Sequence, residues 1–167
     1  MPELEHAGRF LNSLVRKAQE NFDPGSTQLF DTTALYGLHS LEVSDGRVVC
    51  KLPVVPRNMN RFGTLHGGCM ATLVDTVGSA ALRTKLDNTG VSLHIATTYM
   101  SPMPGGQDVT ITATVAKVGK TVATVNVDLH RPDGTLVAQG SHIKFLHPHA
   151  PPDQLKLSES QHPRSKL

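Results

Sequence analysis

Asp75 is the only acidic residue between Asp45 and Asp87, and it stands in an apolar run eight residues after the glycine pair Gly67-Gly68. An unpaired carboxylate among apolar side chains is costly, so such a group is expected either to be hydrogen-bonded for structure or to serve as a base. The glycines follow His66 at a predicted helix start, where N–H groups have no intrahelical partner and no side chain blocks a ligand. Those donors, at the positive end of the helix dipole, suit an oxygen that gains negative charge. A phosphate would suit them too, but the loop lacks the lysine of a phosphate-cradling motif. Tight helix–sheet packing is the other reason to place glycines here. Asn60 and Thr64 are polar loop residues just ahead of the helix start.

Helix geometry constrains how these groups cooperate. Eight residues at a rise of ~1.5 Å separate Gly67 from Asp75 by roughly 12 Å along the axis, too far to meet on one small reacting group. Two copies related by a two-fold axis solve this, each helix lending its start to one site and its aspartate to the other. Ser92 lies on a predicted strand in which Val91, Leu93 and Ile95 alternate with Ser92, His94 and Ala96. Its hydroxyl could hold a water near the carboxylate, or it could be a strand serine bonded to backbone. His66 could orient Asn60, contact a leaving group, or bond backbone carbonyls. His94 is expected to be structural.

The elements that must position these residues follow from periodicity. Leu4, Ala7, Phe10, Leu11, Leu14, Val15 and Ala18 recur at helical spacing, predicting an amphipathic helix over 3–21 that ends at Asp23-Pro-Gly-Ser26. Residues 33–55 alternate and turn at Ser44-Asp-Gly46, which predicts a two-stranded hairpin. Further strands are expected at 91–100, 108–118, 121–130 and 136–146, joined by short turns that imply antiparallel neighbours. The internal helix, about 67–86, carries Met70, Leu73, Val74, Val77 and Ala81 among small residues and few charges, so most of its surface must be buried. The expected class is α+β: a six-stranded antiparallel sheet wrapped around one central helix, with an extra N-terminal helix. The expected segments are 1–24, 25–147 and a flexible 148–167.

A chain of 167 residues with 38% hydrophobic and 18% charged residues is one globular domain with a real core. No run of ~20 apolar residues exists to span a membrane. A net charge of +2 and only 4% aromatic residues invite neither a nucleic-acid nor a membrane-surface role. Two isolated thiols, Cys50 and Cys69, make no disulfide framework and fit a reducing compartment. The beginning of the chain has no apolar core of a secretory signal. The Pro-, Ser- and His-rich end closes on Ser165-Lys166-Leu167, the tripeptide read by the peroxisomal import receptor, so a peroxisomal location is expected, with the cytoplasm as the alternative.

Asn60, Gly63-Thr-Leu-His-Gly-Gly68, Ala71-Thr-Leu-Val-Asp75, Val91-Ser92, Thr98-Tyr-Met-Ser-Pro102, Gly119-Lys-Thr121 and Ala138-Gln-Gly140 together resemble the hotdog-fold acyl-CoA thioesterases. The likeness is to the phenylacetate-degradation-type branch and its thioesterase superfamily member 2 relatives, and covers about residues 33–146. It implies hydrolysis of an acyl-CoA substrate to a free acid and coenzyme A, and the peroxisomal address favours fatty acyl chains. By that likeness the Gly67 N–H and Asn60 polarise the thioester carbonyl, while Asp75 of the partner subunit, with Ser92, activates water. It places His66 near the sulfur or Asn60. It puts coenzyme A against the turn Lys117, Val118, Gly119, Lys120, Thr121 and Val122, where two ammonium groups could meet phosphates, although turn lysines are also ordinarily solvated. Tyr99 and Phe145 match positions lining the nucleotide or acyl site, and Gly68 stands beside the carbonyl donor. A homodimer with shared sites, assembled further into a homotetramer, is expected. No metal or cofactor is required.

Two rival readings stay open on sequence. A hotdog enoyl-CoA hydratase or dehydratase uses a histidine with a catalytic acid at other positions, and glutamate is absent from residue 43 to residue 158. A non-catalytic acyl-CoA binding protein would use the same fold without turnover.

Overall fold

Gly46, at φ 73°, turns the chain between β1 (His39–Ser44) and β2 (Arg47–Pro53). That left-handed conformation costs glycine little, and it closes the two-residue turn that the Ser44-Asp-Gly sequence predicts. The structure, a computed structural model, describes residues 4, 5, 7–11 and 30–146. Four more strands complete one sheet: β3 (Val91–Tyr99), β4 (Asp108–Val118), β5 (Val122–His130) and β6 (Leu136–Phe145). The spatial order is β1-β2-β4-β5-β6-β3, and every neighbouring pair is antiparallel. β1 and β3 are therefore the two edges.

Two helices accompany the sheet among the fully bounded elements: a short α1 (Phe30–Ala34) and the long α2 (Gly67–Arg83). The mixed small and apolar sequence of α2 does what its composition requires. Leu73, Val74, Val77, Ala80, Ala81 and Leu82 are fully buried, in one core with the inward residues of the strands, such as Ile111, Val125, Val127 and Leu129. Small residues let helix and sheet approach closely. At Gly140 on β6 an added Cβ would run into the side chain of Val74, so no larger residue fits there without a shift.

Two boundaries differ from the sequence expectation. Residues 33–38 are not strand: Thr33 and Ala34 end α1, and β1 starts only at His39. One tie on α1 is tertiary, the Cys69 thiol donating to the Ala34 carbonyl at 3.4 Å. The central helix stops at Arg83, short of residue 86. Thr84 closes it by donating to the Ala81 carbonyl at 2.7 Å while accepting from the Gly46 N–H at 2.7 Å, a bond to a turn 38 residues away. At the N-terminus, residues 4, 5 and 7–11 are helical, with Ala7 and Leu11 buried and the Arg83 guanidinium 4.8 Å from the Phe10 ring centre. The rest of the helix expected over 3–21, and the 148–167 tail with Ser165, Lys166 and Leu167, lie outside the described residues.

The β3 edge is apolar and open. Val91 and Leu93 are each 59% exposed and Tyr99 is 54% exposed, on a strand with a neighbour on one side only. Such an edge offers unpaired backbone groups and apolar area to another chain.

Candidate active site

The start of α2 is built by its loop. Asn60 Oδ1 accepts from the N–H groups of Phe62 at 2.9 Å and Thr64 at 3.3 Å, and its amide donates to Thr64 Oγ1 at 2.8 Å. The backbone N–H of His66 donates to the Asn58 carbonyl at 2.8 Å. His66 is the N-cap, and its Nδ1 accepts from the Gly68 N–H at 2.9 Å. Of the three roles the sequence left open for His66, a bond to backbone carbonyls is not what Nδ1 makes, because helix starts present donors and not acceptors. With the Gly68 N–H taken, the Gly67 N–H is the donor left at the first position of the helix.

That position opens on a cleft of about 370 Å³ lined by Asn60, Thr64, Gly67, Met70, Tyr99 and Ser101, among others. Tyr99 closes one wall by donating its hydroxyl to the Gly67 carbonyl at 3.0 Å. Gly67, Asn60 and Tyr99 are thus brought together. His66 and Gly68 line a second pocket of about 310 Å³ with Phe30, Arg57, Met59 and Cys69.

Asp75 lies two turns further along α2, at the other end of β3. Its carboxylate is not enclosed: the side chain is 46% exposed, where the sequence suggested burial in an apolar helix. The flank of α2 that carries it faces the open β3 edge. Ser92 Oγ donates to Asp75 Oδ1 at 3.3 Å. A bulge between Ser92 and His94 makes this contact possible. Ser92 pairs with Lys144 and Ile95 with His142, both inward positions of β6, so the bulge puts Ser92 and Ile95 on the helix side together and breaks the simple alternation read from sequence. His94 pairs instead with Ile143 and is exposed.

Behind Ser92 stand two residues that the sequence reading passed over. His142 is fully buried, with Nε2 2.9 Å from Ser92 Oγ and 3.4 Å from Asp75 Oδ1. Burial pushes its imidazole down to about 4, the Lys144 ammonium adds to the fall and Asp75 opposes it, so the ring is neutral near pH 7. Nε2 has the acceptor-only carboxylate of Asp75 within reach while the buried Nδ1 has no acceptor among the described residues, which places the proton of the neutral ring on Nε2. Lys144 is 6% exposed and donates to Ser79 Oγ at 3.0 Å and Ser92 Oγ at 3.5 Å. The signal was present in β6, whose inward positions run Ala138, Gly140, His142, Lys144 where a core strand would carry apolar side chains.

The lysine turn forms the end of the sheet nearest this carboxylate. Lys117, near the end of β4, and Lys120, in the turn to β5, are exposed, and the Gly119 N–H donates to the Val122 carbonyl at 2.8 Å. Val118 and Val122 are partly exposed beside Thr121. Val122 pairs with Phe145, which pairs with Val91, and the next row across the sheet is Ala123, Lys144 and Ser92. Phe145 is half-buried there. Cys50 and Cys69 are free, and burial pushes both thiols up to about 12, so neither is a nucleophile. No group of three or more potential metal-ligating side chains occurs among the described residues.

A six-stranded antiparallel sheet wrapped on one central helix is the hotdog arrangement, and that helix carries a free N–H at its start and an exposed carboxylate two turns on. Residues 62–138 match the family model described as Thioesterase superfamily. The chain is 45% identical to human acyl-coenzyme A thioesterase 13 over 108 residues, 64% of this chain and 77% of that protein. The structure of zebra fish thioesterase superfamily member 2 superposes with a TM-score of 0.73 at 37% identity, covering 86% of this chain and 98% of that one. A hypothetical thioesterase from Streptococcus pneumoniae, solved with coenzyme A, gives 0.61 at 25% identity over 65% of this chain and 87% of that one. The chain belongs to the thioesterase superfamily.

Proposed function

We propose that this chain hydrolyses acyl-CoA thioesters to a carboxylic acid and coenzyme A, as a homodimer whose two sites are shared. The observation that carries the reading is the separation of the two half-sites to opposite ends of one exposed edge strand. Gly67 and Asn60 lie by Tyr99, and Asp75 lies by Ser92. A two-fold axis near the middle of β3 would join two copies edge to edge and bring the Ser92 end of one to the Tyr99 end of the other. The same pairing would cover Val91 and Leu93 and extend the sheet.

In the shared site the thioester carbonyl accepts from the Gly67 N–H, with Asn60 beside it. Asp75 of the partner subunit takes a proton from water as the oxygen attacks the carbonyl carbon. Negative charge gathers on the carbonyl oxygen at the helix start. The intermediate collapses, the C–S bond breaks, and the leaving thiolate of coenzyme A takes up the proton that Asp75 removed from water, which restores the carboxylate. The Lys117–Val122 turn, with its two exposed ammonium groups, would meet the CoA phosphates. Fatty acyl chains are the proposed substrates, and pairing of dimers into a tetramer the proposed assembly.

The test is release of free thiol from saturated acyl-CoA esters of graded chain length, followed with a thiol reagent. Turnover that falls by about 10²-fold or more in Asp75→Asn, with the fold intact by circular dichroism, supports the reading. Absence of thiol release by the unmutated protein, or hydration of an enoyl-CoA in its place, contradicts it.

A further inference from the structure

We infer that Lys144 is a positioning residue for the base: its ammonium, with His142 Nε2–H, fills the acceptor sites of the Ser92 hydroxyl and turns the Ser92 proton onto Asp75 Oδ1. The inference deepens the thioesterase reading and rests on it. A serine hydroxyl has one proton to give and two lone pairs to offer, while a lysine ammonium only donates. Lys144 Nζ lies 3.5 Å from Ser92 Oγ and is steered there by its 3.0 Å bond to Ser79 Oγ on α2. His142 Nε2, 2.9 Å from the same oxygen, takes the second lone pair. The remaining partner of Ser92 is Asp75 Oδ1 at 3.3 Å, so the hydroxyl proton has one place to go.

The consequence falls on the carboxylate. Oδ1 is engaged by the Ser92 hydroxyl, with His142 at 3.4 Å, and the other oxygen, on a side chain that is 46% exposed, is left to receive the proton of water. Asp75 is also the only carboxylate carried by α2, β3 or β6, so the buried ammonium and the base are linked through a single hydroxyl. Without Lys144 the Ser92 hydroxyl can rotate away, and Asp75 loses a fixed orientation although it keeps its place on the helix. The carbonyl donors Gly67 and Asn60 lie at the other half-site, and the exposed Lys117 and Lys120 of the CoA turn are separate from the buried Lys144, which makes the expected effect one on kcat.

The experiment compares Lys144→Met, which keeps most of the stem, and Lys144→Ala, which deletes it, with the unmutated enzyme in the thiol-release assay. Both variants are expected to lose at least about tenfold in kcat with KM held within about twofold. Adding n-propylammonium, which replaces the deleted atoms, is expected to raise kcat of Lys144→Ala, while n-propanol is not. Should Lys144→Ala fail to fold, Lys144→Met alone decides through its kcat and KM. Unmutated kcat in Lys144→Met overturns the inference, and so does a folded Lys144→Ala whose loss neither propylammonium reverses nor kcat alone explains. Asp75→Asn is run alongside. If that variant keeps full turnover, the thioesterase reading and this inference fall together; if it is inactive while Lys144→Met is unimpaired, only this inference falls.

Discussion

Ser92 Oγ stands 3.3 Å from Asp75 Oδ1, tying the edge strand to the central helix at the one carboxylate that helix carries. The bond orients the carboxylate proposed as the base. Ser92→Ala removes this tether and leaves the aspartate, so kcat is expected to fall by about tenfold with KM little changed, a smaller loss than from removing the base itself. Steady-state kinetics on one saturated acyl-CoA measure both numbers.

His142 makes stability depend on pH. In the unfolded chain its imidazole titrates near 6.5, and in the folded protein it is pushed to about 4, chiefly by burial. Between those values the unfolded chain binds the proton and the folded one does not. Stability is therefore full above about 6.5 and declines as pH falls toward about 4, and at pH 5 the loss from this one group is about 2 kcal/mol. Asp75 and Lys144 face the ring and are kept in the comparison. Urea midpoints measured at neutral pH and near pH 5 should differ less in His142→Gln than in the unmutated protein.

Gly140 and Val74 set how closely helix and sheet approach. Gly140→Ala forces a methyl into the Val74 side chain and is expected to cost about 1–3 kcal/mol. In a Val74→Ala background the same change should cost less by about 1 kcal/mol or more, a coupling that denaturant unfolding of the four proteins measures.

Much of this arrangement is written locally. The Gly46 turn and the apolar, small-residue composition of α2 specify the hairpin and the buried helix through backbone freedom and periodicity. The half-site separation follows from the rise per residue between Gly67 and Asp75 alone. What was not legible depends on distant parts of the chain. The five residues of α1 are too few to show a helical period, and one of the bonds that hold them comes from a thiol 35 residues away. The end of α2 is set by a bond between Thr84 and a distant turn. The bulge at Ser92 inverts which neighbours share its face, and strict alternation cannot reveal it. His142 and Lys144 were visible as polar residues at inward strand positions, but their purpose appears only when β6 is laid beside β3.

The central claim is that each site takes its carbonyl donor from one chain and its base from the other. Asn60→Ala and Asp75→Asn chains, each nearly inactive alone, are mixed under conditions where subunit exchange is verified, and thiol release is measured. Random pairing makes half the dimers mixed, each with one intact site, so recovery of about a quarter of the unmutated activity is predicted. No recovery despite complete exchange would contradict the shared site.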